Sequence, residues 1–163
     1  MDKIIVIGCP GSGKSTFSRA LHEKTGIPLH YMDMLYWNAD RTYVTREELI
    51  EKLNQILPQN RWIIDGNYGS TMELRLGACD TVFLLDYPTE ICLEGIRERA
   101  GKPRPDMAWV EKPGEIDAEF MEFIRNYNEF ERPKVFKRLN KFSDKTIYIF
   151  SSRTEADAFL ASL

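Results

Sequence analysis

The chain of 163 residues is 43% hydrophobic and 29% charged, with 22 basic and 25 acidic side chains and a formal net charge of −3. That length suits one compact domain, and the composition excludes a disordered or fibrous chain. Binding to duplex DNA depends on clustered lysines and arginines that neutralise phosphates, and the acidic balance disfavours it. We therefore expect a single globular domain with no direct duplex DNA binding.

The cysteines and the apolar runs predict the cellular location of the protein and its relation to membranes. Three cysteines with no CxxC spacing suggest neither a disulfide framework nor a zinc site. Reduced thiols favour a cytoplasmic location. No stretch approaches the roughly 18 apolar residues of a membrane span, so we expect no membrane partner. The sequence says nothing about oligomeric state.

Short apolar runs alternate with helical patterns along the chain. Strands are predicted at residues 3–7, 29–32, 61–65, 81–86 and 146–150. Helices are predicted at 13–24, 45–57, 88–99 and about 116–132, followed by a shorter helix to about 140 and a last one from 152 onward. Thr45 with Glu48, and Ser152 with Glu155, have the spacing of capping boxes at two of these starts. The strand runs lack polar alternation, which is typical of strands buried on both faces. The pattern therefore predicts an α/β fold, with helices covering both sides of a parallel sheet.

Residues 8–15, GCPGSGKS, match the phosphate-binding motif GxxxxGK[ST] between a predicted buried strand and an amphipathic helix. The glycines let backbone N–H groups surround an anion, and the helix start adds its positive dipole. Lys14 is expected to reach the β- and γ-phosphates, and the Ser15 hydroxyl to bind Mg²⁺. ATP and Mg²⁺ are therefore the expected cofactors. The candidate ATP-binding residues here are Gly8, Pro10, Gly11, Ser12, Gly13, Lys14, Ser15 and Thr16.

Two aspartates follow predicted strands. Asp65 ends one strand, and a carboxylate beside the phosphate loop can hold Mg²⁺ together with Ser15; the alternative is an aspartate that caps a turn. Asp86 ends another, but Tyr87 and Pro88 follow at once, which favours a turn or cap residue. The predicted metal ligands are Ser15 and Asp65.

The acceptor side has several candidates. Asp33 follows the second strand and is expected to accept a proton from a substrate hydroxyl or to help organise Mg²⁺; the alternative is a helix N-cap or loop residue. Tyr36 and Trp37 either stack on an acceptor ring or belong to the core. Arg75 is a candidate for holding the acceptor, and Arg41 is a weaker one.

The arginines near residue 100 suggest a lid. Arg97 and Arg99 end a predicted helix, and Arg104 lies in the following segment 101–114, whose three prolines and two glycines predict an irregular exposed loop. Phosphoryl transfer depends on positioning and positive charge, and a closing loop that delivers arginines supplies both. The alternative is a solvated helix end, where cations are favourable anyway. The candidate catalytic residues are Lys14, Asp33, Arg97 and Arg99.

Several segments together resemble one family. They are GCPGSGKST at 8–16, DMLYW at 33–37, WIIDGNY at 62–68, ELRLGACDTVFLLD at 73–86 and SSRTEADAFL at 151–160. These segments look like those of adenylate-kinase-like P-loop proteins, and more narrowly of the topology-modulation (FlaR-type) group. The resemblance covers essentially the whole chain.

The resemblance implies a P-loop NTPase fold, with a five-stranded parallel sheet in the order 2-3-1-4-5. It implies one domain over residues 1–163, with a lid insertion at about 100–118. Arg153 would border the adenine of ATP. Asp65 and Gly66 look like the Asp-Gly segment of nucleoside monophosphate kinases, which makes them candidate substrate-binding residues beside Asp33, Trp37 and Arg75.

One departure bears on the acceptor. Nucleotide kinases usually continue Asp-Gly with an aromatic residue, proline and an arginine that grips the acceptor phosphate. Here Asn67, Tyr68 and Gly69 follow. A kinase that phosphorylates a nucleotide or another small hydroxylated acceptor is the first hypothesis. The alternative is a regulatory ATP-binding protein related to DNA topology modulation. A GTPase switch is disfavoured, since residues 140–144, NKFSD, only approximate the NKxD motif.

Overall fold

The computed structural model describes residues 1–163, which form five strands and eight α-helices. The strands are β1 Lys3–Gly8, β2 Leu29–Tyr31, β3 Trp62–Asp65, β4 Thr81–Leu85 and β5 Thr146–Phe150. The helices are α1 Lys14–Thr25, α2 Met32–Tyr36, α3 Arg46–Ile56, α4 Gly69–Ala78, α5 Thr89–Arg99, α6 Ala118–Phe130, α7 Arg132–Asn140 and α8 Arg153–Ser162. None of these helices combines the length and apolar character that crossing a bilayer would require.

The five strands form one parallel sheet in the order β2-β3-β1-β4-β5, which confirms the predicted fold. Asp65 pairs with Val6 of β1 on one side and with Tyr31 of β2 on the other. The carboxyl ends of β1, β2 and β3 therefore meet at one edge. Ligands of open α/β sheets bind at this edge, at the place where the strand order reverses.

Both faces of the sheet are buried, as the unbroken apolar runs predict. In β1, Ile4 and Val6 join a core with α1, α5, α6 and α8, whereas Ile5 and Ile7 join a second core with α3, α4 and α7. Successive side chains of a strand point to opposite faces, so an all-apolar run feeds two cores at once. The site edge therefore rests on a rigid three-layer frame.

Local signals account for the helix starts to different degrees. Thr45 and Glu48 form the predicted reciprocal capping box of α3. At α8 the Ser152 hydroxyl accepts the Glu155 N–H, but the Glu155 carboxylate accepts from the Ser151 N–H instead. The bounds of α2 and α4 are not predicted by the sequence, because α2 has five residues and α4 begins at a glycine.

The segment 101–114 differs from the expected exposed loop. Asp106 is only 4% exposed, and Arg104 and Trp109 are half-buried. The Arg41 guanidinium forms an ion pair with Glu115 at 3.2 Å and lies over the Trp109 ring at 5.4 Å. The segment thus packs over the carboxyl edge of the sheet and contacts the loop that follows α2.

Candidate active site

The phosphate-binding loop joins β1 to α1 and turns sharply at two glycines. Gly11 has φ 83° and Gly13, the N-cap of α1, has φ 92°, values that a residue with a Cβ adopts only with strain. Within the turn, the Ser12 N–H donates to the Cys9 carbonyl over 3.1 Å. Gly13, Lys14 and Ser15 at the start of α1 line a cavity. The free N–H groups of such a helix start are suited to bind a phosphate anion.

Helix α5 supports this loop through a backbone contact. A Cβ on Gly11 would collide with the Cys92 carbonyl, and a Cβ on Gly95 would collide with the Gly11 carbonyl. Gly95 in the middle of α5 thus lets the helix lie directly against the loop. This close approach fixes where the loop carbonyls and N–H groups point.

Asn67 supports the loop from the other side. Its Oδ1 accepts the Gly8 N–H at 2.9 Å, and its Nδ2 donates to the Tyr127 hydroxyl at 2.9 Å. The side chain therefore connects the end of β1 to α6. The Lys14 Nζ lies on the loop itself, where it donates to the Cys9 carbonyl at 3.1 Å.

The Ser15 hydroxyl and the Asp65 carboxylate, the two predicted metal ligands, are hydrogen-bonded to each other. The Ser15 Oγ donates to Asp65 Oδ2 at 2.5 Å, while Asp65 Oδ1 is buried with no partner. Burial raises the pKa of Asp65 to about 6, although Lys14 and the Ser15 hydroxyl act to lower it. The Ser15 hydroxyl and the Asp65 carboxylate, one of whose oxygens has no partner, fit Mg²⁺. This ion prefers hard oxygen ligands and is commonly bound by one or two protein groups together with phosphate oxygens.

A cavity of about 720 Å³ opens above these residues. The phosphate loop and the start of α1 line it with Pro10, Gly11, Gly13, Lys14, Ser15 and Thr16. Arg99, Arg153, Asp33, Trp37, Asp65 and Gly66 line it as well. The structure therefore brings these predicted residues of the nucleotide and acceptor sites into one cavity.

Four arginines line the cavity from different elements: Arg19 of α1, Arg99 of α5, Arg104 of the predicted lid segment (residues 100–118) and Arg153 of α8. Arg19 Nη1, Arg99 Nε and Arg104 Nη2 are buried without a hydrogen-bond partner. Burial lowers the pKa of Arg99, and the neighbouring Arg104 cation lowers it further. Buried donors without partners are costly, so the cluster is suited to an anion that would satisfy them.

Asp106 partly balances this cluster. Its carboxylate lies 3.8 Å from Arg19 Nη1 and 3.3 Å from Arg104 Nη1, and its side chain is 5% exposed. One carboxylate between two guanidinium groups leaves net positive charge. Asp106 also connects the lid segment to α1, since Arg19 belongs to that helix.

The side of the cavity formed by residues 29–68, where the acceptor is predicted to bind, is aromatic and acidic. The Tyr68 hydroxyl donates to Asp33 Oδ1 at 2.5 Å, and burial together with the Asp33 charge raises the pKa of Tyr68. Of the two aromatic residues whose role was open, Trp37 lines the cavity whereas Tyr36 packs against the second core. Trp37 meets Trp109 of the lid segment edge to face, with ring centroids 5.5 Å apart.

The prediction that Arg75 holds the acceptor is wrong. The side chain is 0% exposed and donates to the carbonyls of Gly66, Asn67 and Tyr68, the Gly66 bond measuring 2.6 Å. Burial lowers the pKa of Arg75 to about 10, so the guanidinium stays charged at neutral pH. Arg75 points inward from α4 and shapes the turn after β3 instead of lining the cavity.

Three other predicted contacts also need correction. Arg97 is exposed and does not line the cavity, because two positions along a helix separate it from Arg99 by more than half a turn. The Gly8 N–H is taken by Asn67, and Ser12 is buried inside the loop turn. Neither Gly8 nor Ser12 lines the cavity, so they shape the loop instead of contacting the ligand.

Sequence reasoning missed Arg19, Asp106 and Gly95. Arg19 had a usable signal, since it follows Ser15 by four residues and shares its helix face. Nothing local distinguishes Asp106 within the lid segment. Gly95 in a helix interior is a weak signal of close packing, because glycine is otherwise unfavourable there. Asp86, expected at a turn, accepts from Arg132 Nε at 2.7 Å, outside the cavity.

Fold and site together define a P-loop nucleotide-binding protein of the α/β class. A family model described as an AAA domain matches residues 4–122, and the chain belongs to that family. The chain is 29% identical over 94 residues to an adenylate kinase of Thermotoga neapolitana, covering 56% of this chain and 42% of that protein. It is 27% identical over 123 residues to an adenylate kinase of Thermotoga maritima, covering 71% and 55%.

The chain thus spans about half the length of the curated relatives it matches. Among solved structures, a shikimate kinase from Bacteroides thetaiotaomicron superposes with a TM-score of 0.58, covering 98% of this chain and 94% of that one. The two sequences are 17% identical, so this likeness establishes the fold alone. The family match and this structural likeness together support a P-loop NTPase fold.

Proposed function

We propose that this protein is an ATP-dependent phosphotransferase that moves the γ-phosphoryl group of ATP to a nucleotide or another small hydroxylated acceptor. One observation carries the proposal. The phosphate loop with Lys14 shares a cavity with three arginines, each of which has one buried nitrogen that makes no hydrogen bond. Phosphoryl transfer is catalysed by such positioning and positive charge around the migrating group.

Each residue has a defined task in this reaction. The loop N–H groups and Lys14 bind the β- and γ-phosphates, and Arg99 and Arg104 stabilise negative charge on the γ-phosphoryl group. Arg153 at the start of α8 borders the base. Ser15 and Asp65 would hold Mg²⁺, which when bound neutralises charge on the phosphate oxygens.

Asp33 acts on the acceptor. Its carboxylate, held by Tyr68, accepts the hydrogen bond of the acceptor hydroxyl and takes its proton as the reaction proceeds. The acceptor oxygen forms a bond to the γ-phosphorus, the bond from that phosphorus to the bridging oxygen breaks, and ADP leaves with the electron pair. The proton on Asp33 then passes to solvent.

Residues 100–118 serve as the lid of this single domain. The buried Asp106, the Arg41–Glu115 ion pair and the Trp37–Trp109 contact hold the segment over the cavity. A lid that excludes water protects the phosphoryl group from hydrolysis and strengthens the charge interactions inside.

The test is ADP production from ATP·Mg²⁺ with a panel of nucleosides, nucleoside monophosphates and small hydroxylated metabolites. Lys14→Ala is expected to lower kcat by about a hundredfold or more, since it removes a cation that acts on the migrating group. Lys24→Ala, an exposed lysine at the end of the same helix, is the matched control and should retain full turnover. Full turnover by Lys14→Ala would refute the proposal.

The regulatory alternative related to DNA topology makes a different prediction for the same panel. ATP would bind, the binding would depend on Lys14, and no acceptor would raise ADP production. A duplex DNA affinity that falls steeply with salt would point to a direct role on DNA instead. We further propose a cytoplasmic location, for which the three cysteines without disulfide-type spacing are the support.

A further inference from the structure

We infer that the acceptor carries a planar ring and a hydroxyl group but no phosphate or carboxylate. This inference rests on the proposed function, because it specifies the acceptor class of the same site. It follows from how positive charge and aromatic surface are distributed around the cavity.

All cations that line the cavity come from the nucleotide side or the lid. They are Lys14, Arg19, Arg99, Lys102, Arg104 and Arg153. The acceptor side, residues 29–68, contributes three aromatic side chains, two aspartates, a glycine and an asparagine: Tyr31, Asp33, Trp37, Asp65, Gly66, Asn67 and Tyr68. The acceptor side therefore has two carboxyl groups and no cation.

The arginines that lie near this side are already engaged or lie outside the cavity. Arg75 is fully buried and donates to three carbonyls. Arg41 pairs with Glu115 and lies over Trp109. Arg138 of α7 lies behind Gly69, with Nη2 3.1 Å from the position a Cβ would take, and does not line the cavity. None of them is placed to grip an acceptor phosphate.

Asp33 makes this side unfavourable for an anion. The Tyr68 hydrogen bond holds its carboxylate in the cavity, and Arg99 is close enough for the Asp33 charge to raise its pKa against the larger effect of burial. The Arg99 guanidinium therefore balances the charge of Asp33 and also stabilises the migrating phosphoryl group. A second anion here would meet like charge without a partner, a juxtaposition that disfavours binding.

Aromatic side chains supply the recognition that cations do not. Trp37 and Tyr68 come from the acceptor side, and Trp109 and Phe120 reach the cavity from the lid segment and α6. Trp37 and Trp109 stand at 90° to each other, so their rings form a corner. Such a corner suits a planar ring, which gains apolar burial and stacking without requiring charge.

The test compares matched acceptors that differ in one group. Each of the four ribonucleosides is assayed beside its 5′-monophosphate, and ribose serves as the acceptor without a planar ring. We expect kcat/KM for at least one nucleoside to exceed that of its monophosphate by about tenfold or more. Ribose should be a poorer acceptor than the nucleoside. A monophosphate that equals or exceeds its nucleoside, or ribose that equals it, would overturn the inference.

Binding is measured separately from turnover. Trp37 and Trp109 line the cavity while Trp62 is 0% exposed, so tryptophan fluorescence in the presence of ADP reports the acceptor site. Trp37→Leu should weaken nucleoside binding by about tenfold, the effect expected for losing one stacking partner. Phe130→Leu, an aromatic change at a side chain 57% exposed, is the control and should leave binding unchanged.

The two proposals fail in different ways. If nucleosides bind in preference to monophosphates but no acceptor yields Lys14-dependent ADP, the kinase proposal fails and the acceptor class stands. If ADP forms only with phosphorylated or carboxylated acceptors, the kinase proposal stands and the acceptor class fails. If ATP binds but neither member of any pair does, the acceptor class also fails.

Discussion

The two sides of the cavity use arginine in opposite ways. On the nucleotide side, Arg99 and Arg104 keep buried N–H groups without protein partners, available to an anion. On the acceptor side, Arg75 donates from both Nη atoms to the carbonyls of residues 66–68, its Nε has no partner, and the whole side chain is buried outside the cavity. The comparison shows that an arginine near a site becomes a ligand group only when the fold directs its unsatisfied donors into the cavity.

The sharpest way to break this comparison is Arg75→Met. The change leaves three carbonyls of half-buried residues without their donor and empties a fully buried site, so we expect the free energy of unfolding to fall by about 3–5 kcal/mol. Urea unfolding measures the loss. Arg97→Met, an exposed change in α5, is the control and should stay within about 0.5 kcal/mol of the parent. Unchanged stability with a raised acceptor KM would return Arg75 to the acceptor site.

The pH dependence of stability tests the environment of Asp65 on the nucleotide side. Its pKa is raised to about 6 by burial, so the folded chain holds this proton more tightly than the unfolded chain does. The contribution of Asp65 to stability is therefore full below the ordinary carboxyl pKa of about 3.9 and is lost as pH rises through about 6.

Asp65→Asn keeps the uncharged form at every pH. At pH 8 we expect the variant to be more stable than the parent by up to about 3 kcal/mol, and by about half as much at pH 5. Turnover should nevertheless be lost, because an amide is a poor ligand for Mg²⁺. Denaturant unfolding at both pH values measures the difference. A difference that stays the same from pH 5 to pH 8 would contradict this account of Asp65.

A matched pair of glycines probes the support of the phosphate loop. Gly95→Ala places a Cβ against the Gly11 carbonyl, so we expect a loss of about 1–3 kcal/mol of stability together with weaker ATP binding. Gly77→Ala in α4 meets only Phe142 at 3.9 Å and should gain about 0.5–1 kcal/mol. Thermal unfolding and ATP titration measure both. A stabilising Gly95→Ala would show that the close approach is unimportant.

The smallest expected effect concerns the lid. Arg41 and Glu115 have side chains 52% and 35% exposed, so Arg41→Gln should change stability by less than about 1 kcal/mol. Acceptor KM should change little, since the Arg41 side chain does not line the cavity. Steady-state kinetics with the preferred acceptor checks this. A large rise in KM would instead show that Arg41 reaches the acceptor and that the acceptor side does hold a cation.

Local patterns predicted some elements better than others. The β1 run, the phosphate loop and the Thr45–Glu48 capping box were identified because their signals lie within a few residues of one another. Helix α4 was not delimited, since it follows Tyr68 in a left-handed conformation and contains two glycines. Tertiary packing through Met72, Arg75 and Leu76 overrides that weak propensity.

The sequence by itself determined the parallel α/β fold and the phosphate loop, because strand burial, glycine spacing and helix periodicity are encoded locally. Only the tertiary structure decided which arginines face the cavity. Arg97 and Arg99 lie two positions apart in α5, yet Arg97 faces solvent and Arg99 faces the cavity. Arg75, on α4, is buried in the core. The direction of a side chain and the partners of its donors depend on segments distant in sequence, which meet only in the folded chain.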